Sequence, residues 1–150
     1  MNVINGIKDW ATERQIDKME FKPEVEIVNI LEELFEMTGV DSQIARGNAE
    51  FIYEREFLPN QKKVSKEDLC DALNDVIVFS TTAIMKLGYN PELTLNEVLK
   101  EISSRKQDPK QKEEWELNGI PDGAKWQKDL SQDKSTLYKA DFSKCLLKDK

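Results

Sequence analysis

The chain has 150 residues, of which 39% are apolar and 34% charged, and its formal net charge is −7. This length suits one domain with a real core, and the acidic balance argues against a nucleic-acid-binding protein, because phosphate backbones require a basic surface. No apolar run approaches the roughly 18 residues of a membrane span, and no signal-peptide core follows Met1. We therefore expect a cytoplasmic protein with no membrane partner.

The chain contains no histidine. This excludes Ser-His and Cys-His nucleophilic mechanisms, zinc sites that use histidine, and the Glu-x-x-His pattern of di-iron bundles. Cys70 and Cys145 are expected to be reduced thiols, because Cys70 falls inside a predicted helix of an acidic protein.

The first half of the chain predicts three amphipathic helices. Apolar residues at helical spacing indicate a first helix over about residues 5–19. Pro23 suits the first turn of a second helix that stops at Gly39, and Asp41 is the expected N-cap of a third helix that reaches Phe57. The expected buried face of the second helix comprises Ile27, Ile30, Leu31, Leu34 and Met37.

Two more helices are predicted after a polar connector. Ser65 is the expected N-cap of a long helix that ends at Gly88, and Asp68 stands where a capping-box acid often lies. Asn90 and Pro91 form a suitable N-cap and first turn for the next helix.

The composition changes after this last helix. Residues 106–134 are rich in Lys, Asp, Gln, Pro and Gly, which is typical of an ordered arm or of a flexible tail. No strand-like alternation persists in the sequence. We therefore predict an all-α bundle of four to five helices over residues 1–105, followed by an irregular C-terminal arm over 106–150 that is part of the same domain or flexible.

Two acidic patches on predicted helices suggest chemistry. Residues three or four apart share a helix face, so Glu33 and Glu36 form one carboxylate pair, and Asp71 and Asp75 form another. The pattern indicates either a solvated helix face or a site for a hard divalent cation, which takes oxygen ligands. Asp75 is the strongest ligand candidate, because aspartate is a poor residue in the middle of a helix.

Two basic residues follow on the next predicted helix. Lys100 and Arg105 are close enough in sequence to fold back towards the same region, and a guanidinium can hold a phosphate with two hydrogen bonds. Both are candidates for binding a phosphate-bearing substrate.

With Glu-Glu-x-x-Glu on one helix and Asp-x-x-x-Asp on a later one, the chain resembles the all-α nucleoside triphosphate pyrophosphohydrolases, and above all their MazG-like phage and bacterial subgroup. This superfamily also includes dimeric dUTPases and phosphoribosyl-ATP pyrophosphohydrolase. The segments that carry the resemblance are residues 7–14, 30–36, 71–79, 86–92, 97–105 and 135–145.

The resemblance implies Mg²⁺-dependent cleavage of a nucleoside triphosphate between its α- and β-phosphates, with Mn²⁺ as an alternative ion. It also implies a homodimer or homotetramer that assembles through helices, in a bacterial cell and encoded by the bacterium or a phage. The implied metal ligands are Glu33, Glu36, Asp71 and Asp75, the implied catalytic carboxylates that act on water are Glu32 and Asp71, and the implied phosphate-binding residues are Lys100 and Arg105.

One position departs from the family pattern. Ala72 stands where the second motif normally has a glutamate, and Asp71 is the neighbouring candidate to replace it. This departure keeps open a nucleotide-binding protein with weak catalysis or an acidic helical interaction protein. Among enzymes, a dUTPase and a phosphoribosyl-ATP pyrophosphohydrolase are the alternatives.

Overall fold

The structure, a computed structural model that describes residues 2–148, has helices as its regular elements in that range, and its β-pairing there is limited to two isolated bridges. The all-α prediction is therefore confirmed. Met1 and residues 149–150, which the predicted domain limits include, lie outside the described residues. The α-helices of the described part are α1 (Val3–Glu13), α2 (Pro23–Glu36), α3 (Ser42–Ile52), α4 (Lys66–Lys86), α5 (Pro91–Ser103) and α6 (Pro109–Asn118).

The chain forms two compact units. The smaller unit, Glu20–Ser65, contains α2 and α3. The larger unit contains α1, α4, α5 and α6 and, within the described range, consists of residues 2–19 and 66–148.

Local signals set the starts of several helices as predicted. Pro23 lies in the first turn of α2. The Asp41 side chain accepts a hydrogen bond from the Ile44 N–H at 2.9 Å, and the Asn90 side chain accepts one from the Leu93 N–H at 3.1 Å. Each cap satisfies an N–H group that has no partner within its helix.

The predicted first helix over residues 5–19 was wrong at both ends. The helix starts earlier, because Asn2 caps it at Val3, and it stops at Glu13. Gln15 has a φ of 58°, a left-handed conformation that cannot continue a right-handed helix. A short 3₁₀ turn, Ile16–Lys18, follows it.

The core of the smaller unit lies between α2 and α3. Ala49 is fully buried, and Val28 and Tyr53 are each 4% exposed. The small Ala49 side chain lets the two helices approach closely. Around this centre pack the partly buried residues Ile27, Leu31 and Phe35.

The predicted buried face of α2 was therefore wrong for two residues. Leu34 is 51% exposed and Met37 is 79% exposed, because the face that meets α3 passes through Val28 instead.

A change of helix type follows α3. The predicted third helix reaches Phe57, as expected, but it continues beyond Ile52 as a π-helical turn, Tyr53–Phe57. The buried Tyr53 hydroxyl donates a hydrogen bond to the Gln61 side chain at 2.5 Å, which ties this turn to the connector.

In the larger unit, α1 and α4 each pack against α5. The long helix α4 keeps much of its apolar surface exposed: Leu73 and Val76 are 37% and 41% exposed, and Phe79 is 72% exposed. An apolar helix surface of this kind is typical of an interaction site.

The segment predicted as irregular contains α6. Asp108 caps this helix through a hydrogen bond from the Gln111 N–H at 3.2 Å, and Trp115 is its one buried residue among those described. The arm beyond α6 is tied back to the same unit. The backbone N–H of Asn90 donates to the Cys145 carbonyl at 2.7 Å, and that of Leu147 donates to the Gly88 carbonyl at 2.9 Å.

Both cysteines are free thiols, as predicted, with Cys70 exposed and Cys145 buried. Residues 2–148 include no helix with the length and apolar character that a membrane span requires.

Candidate functional site

Glu32, a predicted catalytic residue, is bound to an arginine. Its Oε2 atom accepts a hydrogen bond from Arg46 Nη1 at 3.0 Å, and its side chain is 23% exposed. Arg46 also donates to Asn29 at 2.9 Å and to Glu50 at 3.0 Å. Burial alone would lower the pKa of Arg46, but its hydrogen bonds to Glu32 and Glu50 raise it overall. Glu32 thus belongs to a network that joins α2 to α3.

The predicted metal ligands Glu33 and Glu36 lie on the last turn of α2. Glu33 is exposed and Glu36 is half-buried. Their separation of three residues places them on neighbouring positions of one helix face. The Glu36 carboxylate has no hydrogen-bond or ion-pair partner in the described part of the chain.

The second predicted pair, Asp71 and Asp75, lies one turn apart near the start of α4. Both side chains are exposed, and neither has a partner among residues 2–148. Between them, the Asn74 side chain donates to the Cys70 carbonyl at 2.8 Å and so is engaged with its own helix. The two carboxylates remain available to a ligand from solvent.

The four predicted metal ligands belong to two units. Glu33 and Glu36 lie in the smaller unit, whereas Asp71 and Asp75 lie in the larger one. Within each unit, the described residues do not bring three or more Asp, Glu, Cys or His side chains together around a point that could hold a metal ion. Each pair by itself offers oxygen donors of the type that Mg²⁺ prefers, so the donor chemistry fits this ion.

The predicted phosphate-binding residues Lys100 and Arg105 are both paired with carboxylates of α5. Lys100 Nζ lies 2.5 Å from Glu97 Oε1, and Arg105 Nη2 lies 3.2 Å from Glu101 Oε1. The hydrogen bond to Glu97 raises the pKa of Lys100. Both cations remain accessible, with their side chains 59% and 42% exposed.

Sequence reasoning missed the role of Arg14. Its guanidinium lies over the indole rings of Trp10 and Trp126, at 5.3 and 5.4 Å from their centroids. Arg14 Nη2 also donates to the carbonyls of Ser103 and Arg105, at 3.2 and 2.9 Å, where α5 ends. An arginine here is favourable, because the C-terminal end of a helix carries a partial negative charge. Burial lowers the pKa of Arg14.

Arg14 thereby fixes the end of α5 and the backbone of Arg105, one of the predicted phosphate-binding residues. The spacing of Trp10 and Arg14 places them on one helix face, but nothing in the sequence indicated that Trp126 and the end of α5 would meet Arg14.

A cavity of about 770 Å³ opens in the smaller unit beside the π-helical turn. Apolar side chains, among them Val28 and Leu58, line it together with the carboxylates of Glu24 and Glu54. Burial, and secondly the charge of Glu24, raise the pKa of Tyr53 at its wall. π-Helical turns occur often at functional sites, so this cavity is a second region where a ligand could bind.

Comparisons with protein-family models, with curated proteins and with solved structures gave no match.

Proposed function

We propose that the protein is a Mg²⁺-dependent nucleoside triphosphate pyrophosphohydrolase that releases a nucleoside monophosphate and pyrophosphate. The observation that carries the proposal is the carboxylate pair Asp71 and Asp75 on α4, which is exposed and has no partner in the part of the chain that the structure describes. Two like charges one turn apart weaken a helix by roughly a few tenths of a kcal/mol, so a bound cation would remove a repulsion that the fold leaves uncompensated.

The resemblance of the sequence to MazG-like enzymes assigns roles to these residues. Asp75 would be a metal ligand, and Asp71 a ligand or the base that accepts a proton from water. The resemblance also gives Glu33 and Glu36 on α2 the role of metal ligands. When bound, Mg²⁺ would neutralise charge on the triphosphate and lower the pKa of a coordinated water.

Lys100 and Arg105 would bind the phosphates of the substrate. Their exposure supports this role, since a ligand from solvent can reach both side chains. Glu32 is a weaker candidate for a direct part in the reaction, because its carboxylate is engaged with Arg46.

Self-association is part of the proposal, with a second copy of this chain as the partner. The exposed apolar residues of α4 would be buried in a dimer or tetramer, and each Å² of apolar area removed from water contributes about 25 cal/mol. These residues are Leu73, Val76, Ile77, Val78 and Phe79. Size-exclusion chromatography with light scattering measures the oligomeric state, and a monomer would contradict this part of the proposal.

The test of the reaction is product analysis after the purified protein is incubated with Mg²⁺ and a panel of nucleoside triphosphates that includes dUTP. Asp75→Asn removes one proposed ligand, and Asp9→Asn is the matched control, because Asp9 is an exposed helical aspartate of the same unit. Monophosphate and pyrophosphate from the wild type and from Asp9→Asn, but not from Asp75→Asn, are the expected result.

A nucleotide-binding protein with weak catalysis is the second candidate, and Ala72 favours it. This residue replaces the glutamate expected in the second motif, so the site would have one carboxylate fewer. Tight nucleotide binding without product would favour this candidate. Absence of both binding and product would leave an acidic helical interaction protein.

A further inference from the structure

The C-terminal arm is bound to one face of α5. The Tyr138 N–H donates to the Ser104 hydroxyl at 2.9 Å, and the Gln132 side chain donates to the Ser104 carbonyl at 2.8 Å. Residues 138–141 then pass beside Glu97 and Glu101, which lie one turn apart on α5. The arm is therefore fixed to the helix that carries Lys100 and ends just before Arg105.

Glu97 connects the arm with Lys100. One oxygen, Oε1, lies 2.5 Å from Lys100 Nζ. The other oxygen, Oε2, accepts hydrogen bonds from the Tyr138 hydroxyl and from the Asp141 N–H, the latter at 3.2 Å.

Glu101 repeats this arrangement one turn later. Its Oε1 atom accepts a hydrogen bond from Arg105 Nη2 at 3.2 Å, and its Oε2 atom accepts one from the Ala140 N–H at 2.7 Å. Each glutamate thus binds a cation with one oxygen and the arm with the other. The position of the arm and the pairing of the two cations are coupled.

This coupling has an electrostatic consequence for an anionic ligand. A phosphate that approaches Lys100 meets the negative charge of Glu97 beside it and must compete with that carboxylate. The hydrogen bonds from Lys100, Tyr138 and Asp141 lower the pKa of Glu97 to about 2, so the competing charge is present at neutral pH.

Space for such a ligand exists next to Lys100. A cavity of about 660 Å³ lies between α5 and the arm, and Ser103, Tyr138 and Lys144 are among the residues that line it. Lys144 supplies a second positive charge at this cavity, where it interacts electrostatically with the Asp141 carboxylate that also lines it. The cavity is large enough for a phosphate or pyrophosphate group.

We propose that the C-terminal arm is a strap that holds Glu97 and Glu101 against Lys100 and Arg105, and so restrains the binding of phosphate-type anions until the strap is released. The biological meaning of this device rests on the proposed function, in which Lys100 and Arg105 bind the substrate phosphates. The device itself depends only on anion binding at these two cations.

The experiment is a calorimetric titration with inorganic pyrophosphate, without nucleotide or Mg²⁺, of the full chain and of three variants. Glu97→Gln removes the competing charge, and Tyr138→Phe removes one hydrogen bond of the strap. Glu92→Gln is the matched control, because it makes the same charge change on the same helix at a residue without a partner there. We expect pyrophosphate to bind Glu97→Gln about three- to tenfold more tightly than the wild type, and Tyr138→Phe to show a smaller gain.

Hydrogen exchange adds a direct readout of the strap. The Ala140 and Asp141 amides donate to the two glutamates, so they should exchange faster in Glu97→Gln and in Tyr138→Phe, but not in Glu92→Gln. In a second titration, Lys100→Met is added to Glu97→Gln. This double variant should lose the gain in pyrophosphate affinity seen in Glu97→Gln alone, which would locate the anion at Lys100.

Three results would overturn the inference: unchanged or weaker pyrophosphate binding in Glu97→Gln, an equal gain in Glu92→Gln, or unchanged exchange of the two amides. The result is independent of turnover. Tighter pyrophosphate binding together with no triphosphate cleavage would support the strap and contradict the enzyme, whereas cleavage with no change in binding would do the reverse.

Discussion

Two sets of helical carboxylates have different surroundings: Glu32 on α2 with Glu50 on α3, and Asp71 with Asp75 on α4. In the smaller unit, Glu32 and Glu50 surround Arg46, so their charges are compensated within the fold. On α4, Asp71 and Asp75 have no partner in the described chain. The comparison teaches that spacing identifies a shared helix face, while the neighbouring helix decides whether a carboxylate is used for structure or left available to a ligand.

The largest expected effect concerns the available pair. Asp75→Asn should lower triphosphate turnover about a hundredfold or more, because an amide is a poorer ligand for Mg²⁺ than a carboxylate. The free energy of unfolding should change by no more than about 0.5 kcal/mol, since Asp75 has no hydrogen-bond or ion-pair partner among residues 2–148. Steady-state kinetics and urea unfolding measure the two effects. A strong loss of stability would show that Asp75 is structural.

At Arg46, whose charge is compensated by Glu32 and Glu50, we expect a loss of stability instead. Arg46→Met should lower the free energy of unfolding by about 1–3 kcal/mol, because it leaves Glu32, Glu50 and Asn29 without their common donor in a partly buried position. Arg55→Met is the control, since the Arg55 side chain is 67% exposed and should matter by less than about 1 kcal/mol. Equal losses in urea unfolding would contradict the difference between the two environments.

Glu32 has features of both sets, because it is a predicted catalytic residue and its carboxylate is bound by Arg46. Glu32→Gln should cost about 1 kcal/mol of stability, since the ion pair with Arg46 becomes a hydrogen bond to a neutral acceptor. Turnover should fall less than tenfold if its main role is to join α2 to α3. A loss of turnover as large as that of Asp75→Asn would instead identify Glu32 as the residue that acts on water.

The sequence predicted those features that depend on nearby residues. Pro23, Asp41 and Asn90 marked helix starts correctly, because a cap needs only the N–H groups of the following turn. The spacing of Asp71 and Asp75 likewise places them on one face of whichever helix they occupy. These predictions required no knowledge of which helices pack together.

Features that depend on distant partners were not predictable in the same way. The buried face of α2 was misassigned at Leu34, because the sequence does not show that Val28 meets Ala49 of α3. The helix α6 was missed because it has no apolar stripe and is anchored by Trp115 alone among its residues. The partner of Glu32 follows from the packing of α2 on α3 and could not be read from the charge pattern. Glu97 and Lys100, in contrast, are three residues apart, so their spacing already makes them neighbours on a helix.

The smallest expected effect concerns Glu97 at the strap. Lys100 binds one oxygen of its carboxylate, and the arm binds the other. The pKa of Glu97 is lowered to about 2 from an ordinary value of 4.5, first by the hydrogen bond from Lys100 and then by those from Tyr138 and Asp141. Folding therefore favours the ionised form. The stability that Glu97 contributes is fully present above about pH 4.5 and is lost as the pH falls through about 2.

A carboxyl-carbon NMR titration of Glu97 should accordingly give a midpoint near pH 2 in the wild type, while circular dichroism at each pH confirms that the helices persist. In Tyr138→Phe the midpoint should move up towards 4.5, because one of the hydrogen bonds that stabilise the ionised carboxylate is gone. An unchanged midpoint in this variant would mean that Lys100 alone holds Glu97. The arm would then follow the ion pair without controlling it, and Glu97 would resemble Glu32, a carboxylate compensated by a single cation.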